Sequence, residues 1–576
     1  MKPPPPPPKL YSDIEVVRLL WLAIFISVFS FLFYYRHGDV LLYGDAVAHI
    51  NIARRVFDSR TPGLLQLGTV WLPLPHLLIL PFIVSQRLWQ TGAGGSIPSM
   101  AAYVFGVLGI FRLVRTALAR DRQVDDVAKL GPWLAAILYA ANPNLIYMQS
   151  TAMGESLYLG FFIWSIVYFA EFARGNPKAL TRCGLCVAAA TLTRYDGWFL
   201  AAVLGLLAVI LSSRLRNQPK ERSQLKESDE APKPAKLPAR NHIIKFVLIA
   251  AAGPVLWLTY NAAVYRNPLE FANGPYSAKS IEQKTATVNP AKGNLWVATS
   301  YFVKAAELNV AQSGWLGRTW LALALLGSLV SWFERRGRVP LLLWIPILFY
   351  ALSIAYGSVP IFVPTWWPFS QYNVRYGLQL LPAFAVFVPL GISFLLRAAA
   401  KLPQLPSSWL QWSTPVTLLV ILFFGSASYA AIWRVNPICY QEADVNMKGR
   451  VALDRQLGKW LENLPLNSTL LMYLGEHVGA LEQVGIPLRR TINEGNHRVW
   501  KQPVDPDGLW ERALANPAAY ADYAIGFQGD PVWTAAHAHH LTALVEIHTT
   551  GQPPAAIFQA RTPQGQTQPA VPRSAQ

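Results

Sequence analysis

The chain has 576 residues, of which 53% are hydrophobic and only 14% charged, with a formal net charge of +18. A soluble protein carries about a quarter charged residues, so this composition excludes a chain made only of soluble domains. The basic excess lies in short loops between apolar runs rather than in a stripe interleaved with exposed aromatics, which excludes a nucleic-acid binder. Three cysteines, Cys183, Cys186 and Cys439, exclude a disulfide framework. The C-x-x-C pair lies in an Ala-rich apolar stretch and reads as small packing residues.

In chain order, residues 1–15 form a proline-rich tail, expected to be disordered and cytoplasmic, with six prolines in a row. The apolar runs that follow are about the length that crosses a hydrocarbon core. Leu19–Tyr35 has no cleavage site after it and reads as a retained helix. Trp71–Val114 is the difficult stretch. Its two apolar pieces would place Arg112, Arg115, Arg120, Arg122 and Lys129 outside if both crossed. One net crossing, with a broken piece around Pro73, Pro75 and Pro81, agrees with the Lys/Arg bias. Further crossings are expected at Pro132–Met148, Leu157–Phe172, Ala179–Thr193, Trp198–Leu211 and Phe246–Tyr265. Residues 212–241 read as a charged, disordered cytoplasmic linker, and residues 266–313 as a long external loop. Helices to Arg335 and Arg336, then to Tyr356, and from there to Arg397 and Lys401 come next. With Pro415–Trp433 they complete about eleven crossings.

Residues 16–435 are thus expected to form the transmembrane domain, and residues 436–561 a small extracytoplasmic α/β domain. In the latter, Val451–Leu461 has helical spacing, while Ser468–Leu474, Tyr523–Phe527 and Leu544–His548 are short β-rich runs. Residues 562–576 read as a disordered tail. The fold class is a polytopic α-helical membrane protein carrying this C-terminal domain. The expected location is a bacterial inner or plasma membrane, with the active site outside the cytoplasm.

The ionisable candidates Asp45, His49, Glu155, Arg194, Asp196 and Arg375 all fall on the external side of this topology. Ionisable side chains at helix ends around one cavity are costly if idle. Asp45 and His49 are four residues apart, which places them on one helix face and suits proton abstraction or metal holding. Capping of the following helix is the competing reading for Asp45, and His76 reads as packing. Glu155 opens a helix, where the dipole alone would favour it. Arg194 either pairs with Asp196 or offers a two-pronged donor to a lipid phosphate. Arg375, beside Tyr376, is a cation outside the positive-inside trend and wants an anionic partner. His537, His539, His540 and Glu546 read as surface residues rather than a metal cluster.

The order of "YGDAVAHINIARRV", "WLPLPHLLILPF", "GESLYLGFF", "LTRYDGWFL" and "RYGLQLLPAFAV" resembles the GT-C glycosyltransferases. These include the protein O-mannosyltransferases and aminoarabinose transferases, of the glycosyltransferase family 39 type. The resemblance covers about Leu19–Trp433. It implies a polyprenyl-phosphate sugar donor and inverting transfer on the extracytoplasmic face to an acceptor the sequence does not identify. Asp45 would be the general base in the first external loop. Arg375 and Arg194 match the basic residues that hold the donor phosphate, and Glu155, Asp196 and Tyr376 line the cavity. Many members have two adjacent acidic residues at the Asp45 position, where this chain has Asp45 followed by Ala46; the cofactor is left open, a divalent metal included. The alternative is a secondary transporter or lipid-linked sugar flippase. That would favour charges near the midplane and matching halves, and neither pattern is present.

Overall fold

The structure is a computed structural model, described here for residues 13–119, 126–216, 240–285, 288–334, 336–399, 407–475, 477–496 and 507–561. Most of the expected 212–241 linker and both tails lie outside these residues. By contact, the chain divides into two compact units. The first comprises residues 1–49, 69–82 and 91–446; the second comprises residues 50–68, 83–90 and 447–576.

The first unit is helical. Helix α1 spans Ile14–His37, and its first turn is capped by the Asp13 carboxylate accepting from the Glu15 amide at 3.2 Å. Among the described residues, nine helical segments are long and apolar enough to cross a membrane. Two further expected crossings fall on helices of 15 residues each, Asp126–Ala140 and Pro177–Thr191. The first of these is shorter than the sequence suggested. It stops where Asn142 begins a separate short helix, Pro143–Gln149, by accepting from the Leu145 amide at 3.0 Å. Large apolar side chains on outer helix faces, such as Trp21, Phe25, Phe29 and Phe423, are exposed, as a protein solvated by lipid requires. The Glu155–Ala173 and Leu381–Ala399 helices are instead buried on nearly all sides. Small residues let such helices approach closely: a Cβ on Gly391 would lie 2.3 Å from the Gly327 Cα.

The difficult stretch holds one helix of spanning length, Ala93–Leu118, preceded by the six-residue helix Leu74–Ile79. The prolines prevent a longer helix there. The freed Leu74 amide is satisfied by the Leu192 carbonyl at 3.0 Å, so the irregular backbone is covered by protein. Residues 266–313 are more ordered than a loop. They contain a 16-residue helix, Leu295–Val310, whose N-terminus is capped by Asn294. Its polar Lys304, Glu307 and Asn309 obscured the apolar period; all three are buried.

The second unit contains a five-stranded sheet in the order β2-β1-β3-β5-β4, with β1 Leu470–Met472, β2 Thr491–Ile492, β3 Tyr523–Phe527, β4 Thr542–Ile547 and β5 Ala555–Gln559. Strands β2, β1 and β3 are parallel, while β5 runs antiparallel to β3 and β4. Strand β3 has the residues read from the sequence. Strands β2 and β5 went unrecognised, because a two-residue strand has no period and the β5 segment follows two prolines. The core joins Leu471, Ile492, Trp510, Ala524, Val532 and Phe558. Segment 50–68 belongs to this unit through polar contacts. Asn51 donates to the buried Glu482 at 2.8 Å, and Arg54 donates to Asp58 at 2.9 Å and to the Ile83 carbonyl at 2.6 Å.

Candidate active site

The site is built on a turn that the sequence makes at Asn373. Asn373 adopts the left-handed conformation, with φ of 56°, which Asn tolerates better than most residues. Its side chain donates to the Pro360 carbonyl at 2.9 Å. Residues Val374–Leu380 then form a 3-10 turn that leads into the Leu381–Ala399 helix. The Val374 carbonyl accepts from Asn309 at 2.9 Å, and the Asn309 carbonyl in turn accepts from Asn142 at 2.8 Å and Asn144 at 3.1 Å. Buried amides of this kind hold the turn because an unmade bond at zero exposure is expensive.

From this turn Arg375 reaches three carboxylates. Nη2 donates to Asp45 Oδ2 at 2.6 Å, Nε to Glu155 Oε1 at 3.3 Å, and Nη1 to Glu442 Oε1. Its guanidinium also lies 5.1 Å from the ring centroids of both Tyr43 and Tyr376. Arg194 continues the network. It donates to Glu155 Oε1 at 3.0 Å and to the Tyr350 hydroxyl at 3.0 Å, and its Nε lies 3.5 Å from Asp196 Oδ2. Tyr350 donates onward to Asp196 at 3.1 Å, and Arg194 stacks over Tyr376 at 4.8 Å. Six of the seven residues singled out from the sequence, Asp45, Glu155, Arg194, Asp196, Arg375 and Tyr376, therefore belong to one linked cluster.

Exposure separates the carboxylates. The side chains of Glu155 and Glu442 are 1% exposed, whereas that of Asp45 is 39% exposed. Asp45 is in the first turn of α2, Gly44–Arg55, and its carboxylate accepts from Arg375. Glu155 heads its helix as expected, but its second oxygen is buried with no hydrogen-bond partner among the described residues. Such an atom is costly.

His49, one turn beyond Asp45, is buried. Its Nδ1 lies 2.9 Å from His76 Nε2, and its ring packs against Trp71 at 4.9 Å between centroids. His76, read from the sequence as packing, is therefore also a hydrogen-bond partner. Burial holds the His49 imidazole below the ordinary histidine range, against the opposing pull of Asp45 and Glu155.

Sequence reasoning missed Glu442 and Tyr350. Glu442 lies where the chain changes composition after the last apolar run and has no neighbouring motif. Tyr350 sits in an apolar helix, where a tyrosine carries no local signal. Cys183 is buried with its thiol on the Ser165 carbonyl at 3.3 Å, as a packing residue. His537, His539 and His540 are exposed. Among the described residues, no group of three His, Cys, Asp or Glu side chains is placed to hold a metal ion.

No family model and no curated protein sequence matches this chain. Solved structures do. ArnT from Cupriavidus metallidurans, bound to undecaprenyl phosphate, is similar with a TM-score of 0.53 at 13% identity, covering 95% of this chain and 99% of that one. The apo state of the same protein gives the same values. An oligosaccharyltransferase of Archaeoglobus fulgidus aligns with a TM-score of 0.40 at 12% identity, over 88% of this chain and 68% of that one. The ArnT likeness extends over nearly the full length of both chains and shows that the fold is shared.

Proposed function

We propose that this chain, a multi-pass membrane protein with the GT-C-like fold of ArnT, is a glycosyltransferase that takes a sugar from a polyprenyl-phosphate donor. The single observation that carries the reading is the pairing of Asp45, the one half-exposed carboxylate of the cluster, with Arg375 at 2.6 Å. A base for an acceptor hydroxyl and a cation for a leaving phosphate stand side by side, which is what the reaction needs. That ArnT is bound to undecaprenyl phosphate supports the choice of donor.

In this reading Asp45 removes the proton from the acceptor hydroxyl. The hydroxyl oxygen forms a bond to the anomeric carbon as the bond from that carbon to the donor phosphate oxygen breaks, with inversion. The bonding pair leaves on the polyprenyl phosphate, and Arg375, with Arg194 behind it, offsets the charge that develops there. His49, kept neutral by burial, stands one turn away from the protonated Asp45. Glu155 and Asp196 orient the two arginines, and Tyr376 lies under both guanidinium planes. The site faces the extracytoplasmic side, as the Lys/Arg distribution supports. The 436–561 region, with the sheet, and the transmembrane region before it are the two functional domains, the sheet region on that same side.

The test is release of lipid phosphate from a labelled polyprenyl-phosphate sugar by the purified full chain in detergent, with Asp45→Asn as the control. Release by the wild type and its loss in Asp45→Asn is the expected result. A wild-type chain that moves the intact lipid-linked sugar across a vesicle, with no release, would make it a flippase instead.

A further inference from the structure

Glu442 is placed on the Ile438–Leu461 helix, 67 residues beyond Arg375 in sequence, yet its carboxylate sits directly under the Asn373–Arg375 turn. Oε1 accepts from the Asn373 amide at 3.1 Å, and Oε2 accepts from the Arg375 amide at 3.1 Å. The Arg375 Nη1 donates to the same carboxylate. One buried side chain thus receives the backbone on both sides of Val374 and the guanidinium that follows. These donors converge on it in a turn that Asn373 enters in the left-handed conformation.

The consequence is a guanidinium fixed at two points. Glu442 holds Nη1 and Glu155 holds Nε, and both carboxylates are 1% exposed. The third nitrogen, Nη2, is on Asp45, which is 39% exposed. An incoming phosphate oxygen can therefore replace Asp45 on Nη2 without opening the buried side of the cluster. We propose that Glu442 is a positioning residue for the donor phosphate: it sets the rotation of Arg375 so that the Nη2 edge is the one exchanged from Asp45 to the phosphate. This rests on the glycosyltransferase reading above. Its physical basis is that a guanidinium presents a chosen nitrogen to a phosphate only when its plane is set, and that misplacement by about 1 Å costs about 10²-fold in rate.

The experiment compares Glu442→Gln and Glu442→Asp with the wild-type full chain in detergent. It reads binding of polyprenyl phosphate, kcat and donor KM for release of lipid phosphate, and the thermal midpoint. Glu442→Gln keeps the size but replaces one accepting oxygen with a donor. It is expected to raise donor KM about tenfold and lower kcat about tenfold or more in the protein that remains folded. Glu442→Asp keeps the charge and is expected to recover part of both. Wild-type kinetic constants in the folded fraction of Glu442→Gln, whatever its midpoint, would overturn the proposal and leave Glu442 a structural residue. The glycosyltransferase reading fails separately, and takes this proposal with it, if the wild type itself neither binds polyprenyl phosphate nor releases it.

Discussion

Arg375 and Asp45, 330 positions apart in sequence, meet at 2.6 Å between Nη2 and Oδ2. The pair means that Arg375 is not a free cation waiting for an anion. It already has three carboxylates, and a phosphate must displace one of them. In the proposed reaction the half-exposed Asp45 is the one displaced, so donor binding and release of the base would be coupled events.

That coupling gives the first prediction. Asp45→Asn removes the competing charge and leaves the helix intact, because Asn caps and starts helices about as well as Asp. Transfer is expected to fall by about 10²-fold or more, while polyprenyl-phosphate binding stays equal or becomes tighter. A titration of the variant with the lipid phosphate checks this; weaker binding would mean that Asp45 helps to hold the donor rather than competing with it.

Arg375→Lys tests geometry at constant charge. A single ammonium cannot serve Asp45, Glu155 and Glu442 at once with the fork of a guanidinium. Donor affinity is expected to fall about tenfold, and Arg375→Ala should also lose about 3–5 kcal/mol of stability because buried carboxylates are left without their partner. Donor titrations and thermal midpoints separate the two effects. Unchanged donor binding in both variants would remove Arg375 from the phosphate site.

Gly377 presses the Arg375 turn against the Leu295–Val310 helix. A Cβ there would lie 2.4 Å from the Ala305 carbonyl carbon and 2.5 Å from the Ala306 nitrogen. Both are backbone atoms and cannot rotate away. Gly377→Ala is expected to cost about 1–3 kcal/mol by overpacking and to lower transfer well beyond that, since the turn that moves carries Arg375. Full activity with a wild-type midpoint would show that the turn can shift freely.

In the second unit, His477 stacks on Phe527 with ring centroids 3.6 Å apart, and its Nδ1 is buried without a hydrogen-bond partner among the described residues. Burial first, and then Arg450, lower its pKa to about 3. The unfolded chain binds a proton near the ordinary value of about 6.5. As pH falls below that value, the unfolded state is protonated first, so this contribution to stability is intact above about pH 6.5 and shrinks steadily toward pH 3. At pH 5 the deficit is about 2 kcal/mol. His477→Phe should therefore flatten the acid side of the unfolding profile relative to wild type. The comparison has to be a difference, because the buried carboxyls of Glu482 and Glu494, both raised by burial, act with the opposite sign. Parallel profiles for the two proteins would contradict the assignment.

The side of the membrane is checked by a reporter active only in the cytoplasm, fused to the C-terminus of the full chain. Silence is expected. Activity there would reverse the topology and move the proposed site to the cytoplasmic face.

The membrane-spanning architecture was legible in the sequence because a bilayer imposes a length and a composition on every helix that crosses it, and both are local properties. The broken stretch before Ala93–Leu118 could be read for the same reason: Pro73, Pro75 and Pro81 forbid a long helix wherever they fall. The candidate residues Asp45, Glu155, Arg194, Asp196 and Arg375 stood out because charge at the end of an apolar run is rare, which is again visible one residue at a time. The tertiary structure alone decided their pairing. No sequence rule places residue 45 on residue 375, sets Glu442 beneath the Asn373 turn, or brings Tyr350 out of an apolar helix onto Arg194 and Asp196. Those contacts depend on which helix faces pack together, and in a chain whose helices are apolar on nearly every side the amphipathic period that would reveal the facing residues is weak. The Leu295–Val310 helix was hidden for the opposite reason: Lys304 and Glu307 interrupt its apolar period, and they are accommodated in the interior by pairing at 3.2 Å.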